Sequence, residues 1–316
     1  MPANVIYSIL LKKENAHNDP IYCCDWVRTS NNLADSTLAA KDFIVTGGLD
    51  GLVKVWVLLS NKLDLLHTLD GHTMGVMSVA ISPSALTIVS ASLDSNLILW
   101  NLKTGKKITE LATGESDVWK VTYSPDGEYI ATGGHTGKIY VYGTNDGAVN
   151  KVFDTRGKFI LSIDWSRNTE YIATGSEDGT VCILDLYQGK VLNTIEAHSM
   201  AVRSVAFSPC CKYLAMASND GFVKIYGVIS ATLQCKLEQK SWAVSVSFSP
   251  DGTRVATGAA DGSVRVARAS DLALLNTFQE HTDTVWGVHF DSYSNKVVSV
   301  SKDGCIILYE CPPLSK

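Results

Sequence analysis

The chain has 316 residues, 46% apolar and 19% charged, with 32 acidic against 27 basic side chains for a formal charge of −5. This composition excludes a disordered chain and argues against a nucleic-acid-binding surface, which needs a basic excess. The apolar run "VIYSILL" near the start is too short to cross a bilayer and no cleavage-site pattern follows it, so a soluble intracellular protein with no membrane contact is expected.

Strand signals begin at once. "VIYSILLKK", within residues 1–13, reads as a strand that precedes the first complete unit. That unit is interrupted by the polar stretch "RTSNNLADSTLAAKD", an insertion over residues 28–42 expected on the surface between its first two strands. From there one pattern recurs. An apolar stretch such as "VTYS" leads to a turn such as "SPDGEY" and a run such as "IATGG". A tight turn follows, then an alternating run such as "KIYVYG" and a more polar strand such as "KVFDT". Short runs rich in Val, Ile and Tyr between Gly, Asp and Pro are strands, and helical spacing is nowhere sustained.

The tight turns align at Asp50, Asp94, Thr136, Asp178, Asp220, Asp261 and Asp303, with successive spacings of 44, 42, 42, 42, 41 and 42. Seven units of this period match the roughly 40–45 residues of a four-stranded propeller blade. The last unit ends at "CIILYE" before Pro312 and Pro313 and lacks its fourth strand. The spare strand at the start supplies it, which closes the ring and removes the open edge. The expectation is an all-β, seven-bladed β-propeller occupying residues 1–316 as a single domain.

A histidine precedes the turn aspartate by 22 residues in three units, as His72–Asp94, His198–Asp220 and His281–Asp303, and by 33 in the first, His17–Asp50, where the insertion falls. The third, fourth and sixth units lack the histidine. In the fourth, "DTRGKFILSIDW", Gly157 and Lys158 lie near its place, so Asp178 needs another partner or solvent. Hydroxyls two or four residues before the turn, such as Ser90, Ser92, Thr174 and Ser299, share one strand face. A His–Asp pair beside a hydroxyl looks like a hydrolase triad. Its recurrence argues for buried structural hydrogen bonds instead, since an active site is needed once. The eight cysteines show no zinc or disulfide-framework spacing and read as free, mostly buried thiols. No phosphate loop or nucleophile elbow occurs, so no enzymatic activity, metal or cofactor is expected.

These residues resemble the WD-repeat family over essentially the whole chain. Gly71-His72 keeps its first dipeptide. At the position of its tryptophan stand Trp56, Trp100, Tyr142, Leu184, Tyr226, Ala267 and Tyr309, and only Leu184 is followed by an aspartate, Asp185. The resemblance implies that histidine, turn aspartate, a Ser/Thr and the tryptophan form a hydrogen-bonded chain. It also implies a partner-binding face built from first-strand positions beside a bulge and from the residue before the turn aspartate. Projected here, that face holds Tyr22, Met77, Asp117, Trp119, Phe159, Leu161, Glu177, Arg203, Trp242 and Trp286. A contiguous apolar surface of this kind marks a partner site, and Asp117 and Glu177 could pair with a basic side chain from the partner. A register shifted by one would instead put these residues in the core between blades.

More specifically, the chain resembles the small WD-repeat subunit shared by the superkiller complex and the polymerase-associated factor complex. The resemblance is carried by "LDGLVKVW", "DTRGKFILSI", "EAHSMAVRSVAFSP", "NDGFVKIY" and "HTDTVWGVHF". It implies a scaffold that holds a tetratricopeptide-repeat subunit beside an RNA helicase feeding messenger RNA to the exosome for 3′-to-5′ decay. A second pool would act with polymerase-associated factor subunits in transcription elongation on chromatin, placing the protein in cytoplasm and nucleus. Partner segments of the family carry a Gln-Arg pair followed by an apolar residue. The isolated chain is expected to be monomeric, with no direct nucleic-acid binding. The alternative is a substrate adaptor or scaffold of another assembly, such as a ubiquitin ligase.

Overall fold

The computed structural model describes residues 6–29, 40–113 and 118–313. Among them there is no helix, and the strands form seven antiparallel four-stranded sheets. Six sheets are built in chain order, as in blade one from Ile21–Arg28, Asp42–Gly48, Val53–Leu59 and Lys62–Leu69. Blade seven combines Val285–Phe290, Lys296–Ser301 and Ile306–Glu310 with Ser8–Lys13, which pairs antiparallel to Ile306–Glu310. The expected closure is therefore present. The expected insertion is narrower than 28–42: Arg28 pairs with Asp42 in the ladder and forms an ion pair with it, and Thr29 N donates to Lys41 O. Strand pairing continues until those charges meet. Residues 30–39 of that expected loop, like Asp117, lie outside the described residues.

The alternation seen in sequence is set by burial between blades. Seven apolar clusters occupy the seven joints. One, for example, joins Val45, Val53 and Val55 of blade one to Val76, Ile98 and Trp100 of blade two. Second strands such as Tyr171–Ser176 are buried almost throughout, while an outer strand such as Val149–Asp154 is mostly exposed. The innermost strands have no fifth strand to bond, so side chains of the preceding blade serve their N–H groups. Asp25 accepts from Ile81 N at 2.7 Å, Asp164 from Phe207 N at 2.7 Å, Ser78 from Val121 N at 3.2 Å and Ser245 from Val288 N at 3.1 Å.

A second latch joins several incoming loops to the previous blade's tight turn. Ala16 N donates to Gly304 O, His198 N to Gly179 O and Gln239 N to Gly221 O. The turn glycine is required here by both conformation and space. Gly179 has φ +88°, and a Cβ on it would lie 2.1 Å from the His198 carbonyl oxygen. Gly179→Ala is expected to lose at least about 2 kcal/mol of stability, from the left-handed backbone and the displaced loop. Chemical denaturation checks this, and an unchanged midpoint would show that the latch gives way freely.

Candidate protein-binding face and central channel

All four expected His–Asp pairs form. His17, His72, His198 and His281 place Nδ1 3.0, 3.0, 2.9 and 2.9 Å from Asp50, Asp94, Asp220 and Asp303. Burial holds the His72 imidazole below its usual range despite the Asp94 charge, so it is neutral at pH 7. Its Nδ1–H then donates to Asp94 and its Nε2 accepts from Ser90 Oγ at 2.7 Å. Trp100 Nε1 in turn donates to Ser90 at 2.8 Å. Blade one repeats the chain through Thr46 and Trp56. Blade seven does so through Ser299, with the Tyr309 hydroxyl in the tryptophan's place. Burial also pushes the Asp94 carboxyl up, but the Thr73 and Asn96 N–H groups and His72 outweigh it and hold the carboxyl below its ordinary range. Thr46, Ser90 and Ser299 are fully buried, so no substrate can reach these hydroxyls.

The exceptions follow from single residues. In blade five Met216 occupies the hydroxyl position, and His198 Nε2 has no hydrogen-bond partner among the described residues. In blade six Gln239 replaces the histidine. Its Nε2 donates to Thr257 Oγ1 at 2.8 Å, and its Oε1 accepts from Arg265, which also reaches Asp261. The 22-residue spacing from Gln239 to Asp261 is the signal that could have revealed this substitute. In blade four the same spacing falls on Arg156, which is exposed. Asp178 is exposed as well and accepts from Thr180 N within its own turn, while Thr155 makes the bonds to Gly137 O of the previous blade.

Each first strand carries a β-bulge at one residue: Tyr22, Met77, Trp119 and Leu161 in blades one to four, then Arg203, Val244 and Trp286. A bulge re-aims its side chain, and these seven converge on one mouth of the central channel. Their register is the expected one, but their exposure is not. Met77, Leu161 and Val244 are buried, at 8%, 5% and 3% exposure, because the ring narrows there and its neighbours cover them. They form the floor, and the face left to a partner is the aromatic rim. On that rim Tyr22 meets Trp286 at 5.1 Å between ring centroids, and Phe159 meets Trp119 at 5.2 Å and His135 at 5.5 Å. Trp242, half exposed, and Glu177, exposed, stand nearer solvent. Arg203 is half-buried and donates from Nε to Asn219 Oδ1 at 3.2 Å. Lys120, which follows the bulge in blade three, was not picked out from sequence. Its strand position gives no sign that it opens into the mouth.

Deeper in the channel lie Asp25, Asp164 and His289. His289 Nε2 is 3.4 Å from Asp25. Burial pushes the Asp164 carboxyl up to about 6, and the Phe207 and Trp165 N–H groups, His289 and Lys120 offset this only in part. An unfolded aspartate titrates near ~4. The raised folded value means that stability from this residue is full below ~4 and lost as pH rises toward about 6. Asp164→Asn should therefore improve relative to the wild type by about 1–3 kcal/mol between pH 4 and pH 7. Paired thermal melts across that range test this, and a pH-independent difference between the two proteins would refute it.

All eight cysteines are free. Four are buried, three half-buried, and Cys210 is exposed, so burial is less general than expected. Burial pushes the Cys23 thiol up to about 12, which makes it a poor nucleophile. Among the described residues no group of three or more His, Cys, Asp or Glu is arranged to hold a metal ion.

Seven four-stranded blades, a strand exchanged between the chain's ends, and repeated His–Asp–hydroxyl–Trp chains define a WD-type β-propeller, a class of protein-interaction platforms. A family profile described as the IFT122 first beta-propeller matches residues 38–310, and one described as WD domain, G-beta repeat matches residues 8–57. The chain belongs to the WD-repeat β-propeller family. It is 33% identical over 156 residues to WD repeat-containing protein SL1-17 of Schistosoma mansoni, covering 49% of each chain. It is 32% identical over 132 residues to WD repeat-containing protein VIP3 of Arabidopsis thaliana, covering 42% of this chain and 38% of that one. The chain thus spans about half the length, or less, of these curated relatives.

Proposed function

We propose that this propeller is a non-enzymatic scaffold, the WD-repeat subunit of the superkiller complex in cytoplasmic 3′-to-5′ mRNA decay and of the polymerase-associated factor complex in the nucleus. The observation that carries the scaffold reading is the aromatic rim around the channel mouth, where Trp119, Phe159, Tyr22 and Trp286 are gathered from four blades. Aromatic and arginine side chains around a concave mouth are the usual anchors of a protein interface. The choice of complexes is supported by the segments quoted above, chiefly "DTRGKFILSI". A partner segment with a Gln-Arg pair would set its arginine near Glu177 and its apolar residue against Trp119, Phe159 or Trp286.

Affinity purification of the tagged chain from its native cells is expected to recover a tetratricopeptide-repeat protein and an RNA helicase, together with polymerase-associated factor subunits. The double variant Trp119→Ala, Trp286→Ala should lose them, each truncation costing about 2 kcal/mol or more of binding, while remaining folded by circular dichroism. Full retention of partners by that variant would sink the rim as the binding site. Recovery of ubiquitin-ligase subunits instead would make the protein an adaptor.

A further inference from the structure

The mouth is apolar in its walls but supplied with hydrogen-bond donors that have nothing to bond. Lys120 is half-buried, lines both the mouth and the channel below, and makes no hydrogen bond or ion pair with any described residue. Arg203 lines the same mouth, hydrogen-bonds only through its Nε to Asn219 and feels the Glu177 charge, leaving its two terminal nitrogens without a described hydrogen-bond partner. Trp286 Nε1, on the same rim, is buried and unpartnered. Two half-buried cations and an unmet indole N–H therefore surround one small space, whose described lining offers the Tyr22 hydroxyl as an acceptor but no carboxylate. Keeping cations half-buried beside apolar groups is unfavourable unless an anion or water completes them. Asp25 and Asp164 lie deeper in the channel, where the Lys120 charge acts on Asp164 at a distance without a direct ion pair among the described residues. Their charge repels an anion that enters further, which fixes a guest at the rim.

We propose that this mouth receives the carboxylate of an aspartate or glutamate side chain from a partner segment laid across the face, held by Lys120 and Arg203. This rests on the reading of the rim as a protein-binding site and specifies the partner's chemistry. A carboxylate suits the space and the donors: it is compact, accepts from several directions, and forms charge-assisted bonds with ammonium and guanidinium groups. An internal side chain is favoured over a chain terminus by the rim's layout. The Trp119–Phe159 pair of blades three and four and the Tyr22–Trp286 pair of blades one and seven stand apart on the rim. A segment that places apolar residues on both pairs crosses the mouth with an interior residue.

The test is selection of random 15-residue peptides displayed on phage against the full chain. The expected result is a motif with an acidic residue at a fixed distance from apolar ones. Changing that residue to glutamine in a synthetic peptide should weaken wild-type binding about tenfold or more. Against Lys120→Met, Arg203→Met the same change should do almost nothing, which is the signature of a direct pair in a double-mutant cycle. Lys120→Gln, which leaves Arg203 on Asn219, serves if the double variant melts early, and should remove part of the same difference. Peptides that bind in a Trp119- and Trp286-dependent way without an acidic position overturn this inference alone. Selection of no peptide overturns the protein-binding reading and this inference with it. Binding of a labelled single-stranded RNA that the double variant abolishes would assign the cations to phosphate and equally overturn it.

Discussion

Arg254→Ala is expected to lower the unfolding free energy by about 3–5 kcal/mol, the range for breaking a buried charged network from one side. Arg254 is fully buried at the joint of blades six and seven. Its Nη1 donates to the carbonyl oxygens of Cys311 at 2.6 Å and Pro312 at 2.7 Å, and its Nη2 to the carbonyl of Ser294 and to Asp251 at 3.3 Å. Its guanidinium also stands 5.7 Å from the Phe290 ring centroid. Alanine would leave three backbone carbonyls without this donor and open a cavity beside Phe290. Arg254→Lys keeps the charge but offers one compact ammonium where a planar fork serves two directions, so an intermediate loss is expected. Equilibrium denaturation ranks the three proteins. Equal stability of the alanine variant would mean that water replaces the guanidinium without penalty.

Deleting the chain through Lys13 should cost on the order of 5 kcal/mol, since it removes a whole outer strand together with apolar side chains that are each worth about 1.5–3 kcal/mol when buried. Ser8–Lys13 forms the outer ladder on Ile306–Glu310, and Leu10 and Leu11 pack on the cluster that holds Trp56, Val298 and Leu308. That cluster joins blade seven to blade one, so both lose support. Hydrogen exchange should accelerate in Ile306–Glu310 and in Val53–Leu59 together. The exposed edge of Ile306–Glu310 becomes a template for another chain, so concentration-dependent association is the second readout. Unchanged melting of a monomeric truncated protein would refute closure by this strand as a source of stability.

Much of this was legible in sequence because it is periodic or local. A 42-residue repeat of alternating strands has few solutions that bury its apolar faces. A histidine 22 residues before an aspartate recurs because one loop must meet one turn in every blade. The same spacing would have found Gln239, whose amide does the histidine's work with Arg265. What escaped had no counterpart in the repeat. At the position of Arg254 the other blades carry Phe43, Thr87, Tyr129, Tyr171, Tyr213 and Lys296, of which only the apolar Phe43 is fully buried. Nothing in "DGTRVATG" shows that the segment at Cys311 and Pro312 will lie over it.

The sequence by itself determined the class of fold, the number of blades, the closing strand and the pairs His17–Asp50, His72–Asp94, His198–Asp220 and His281–Asp303. The family resemblance placed Tyr22, Met77, Trp119, Leu161, Arg203 and Trp286 beside a bulge of each first strand, and the ladders put the bulge at those residues themselves. Only the tertiary structure decided their depth. Seven equivalent positions about 42 residues apart meet around one axis, where side chains of unequal size compete for a narrow mouth. Leu161 and Met77 are covered, Trp119 and Trp286 remain at the rim, and Lys120 is left beneath them without a hydrogen bond to any described residue, as the packing of neighbouring blades dictates.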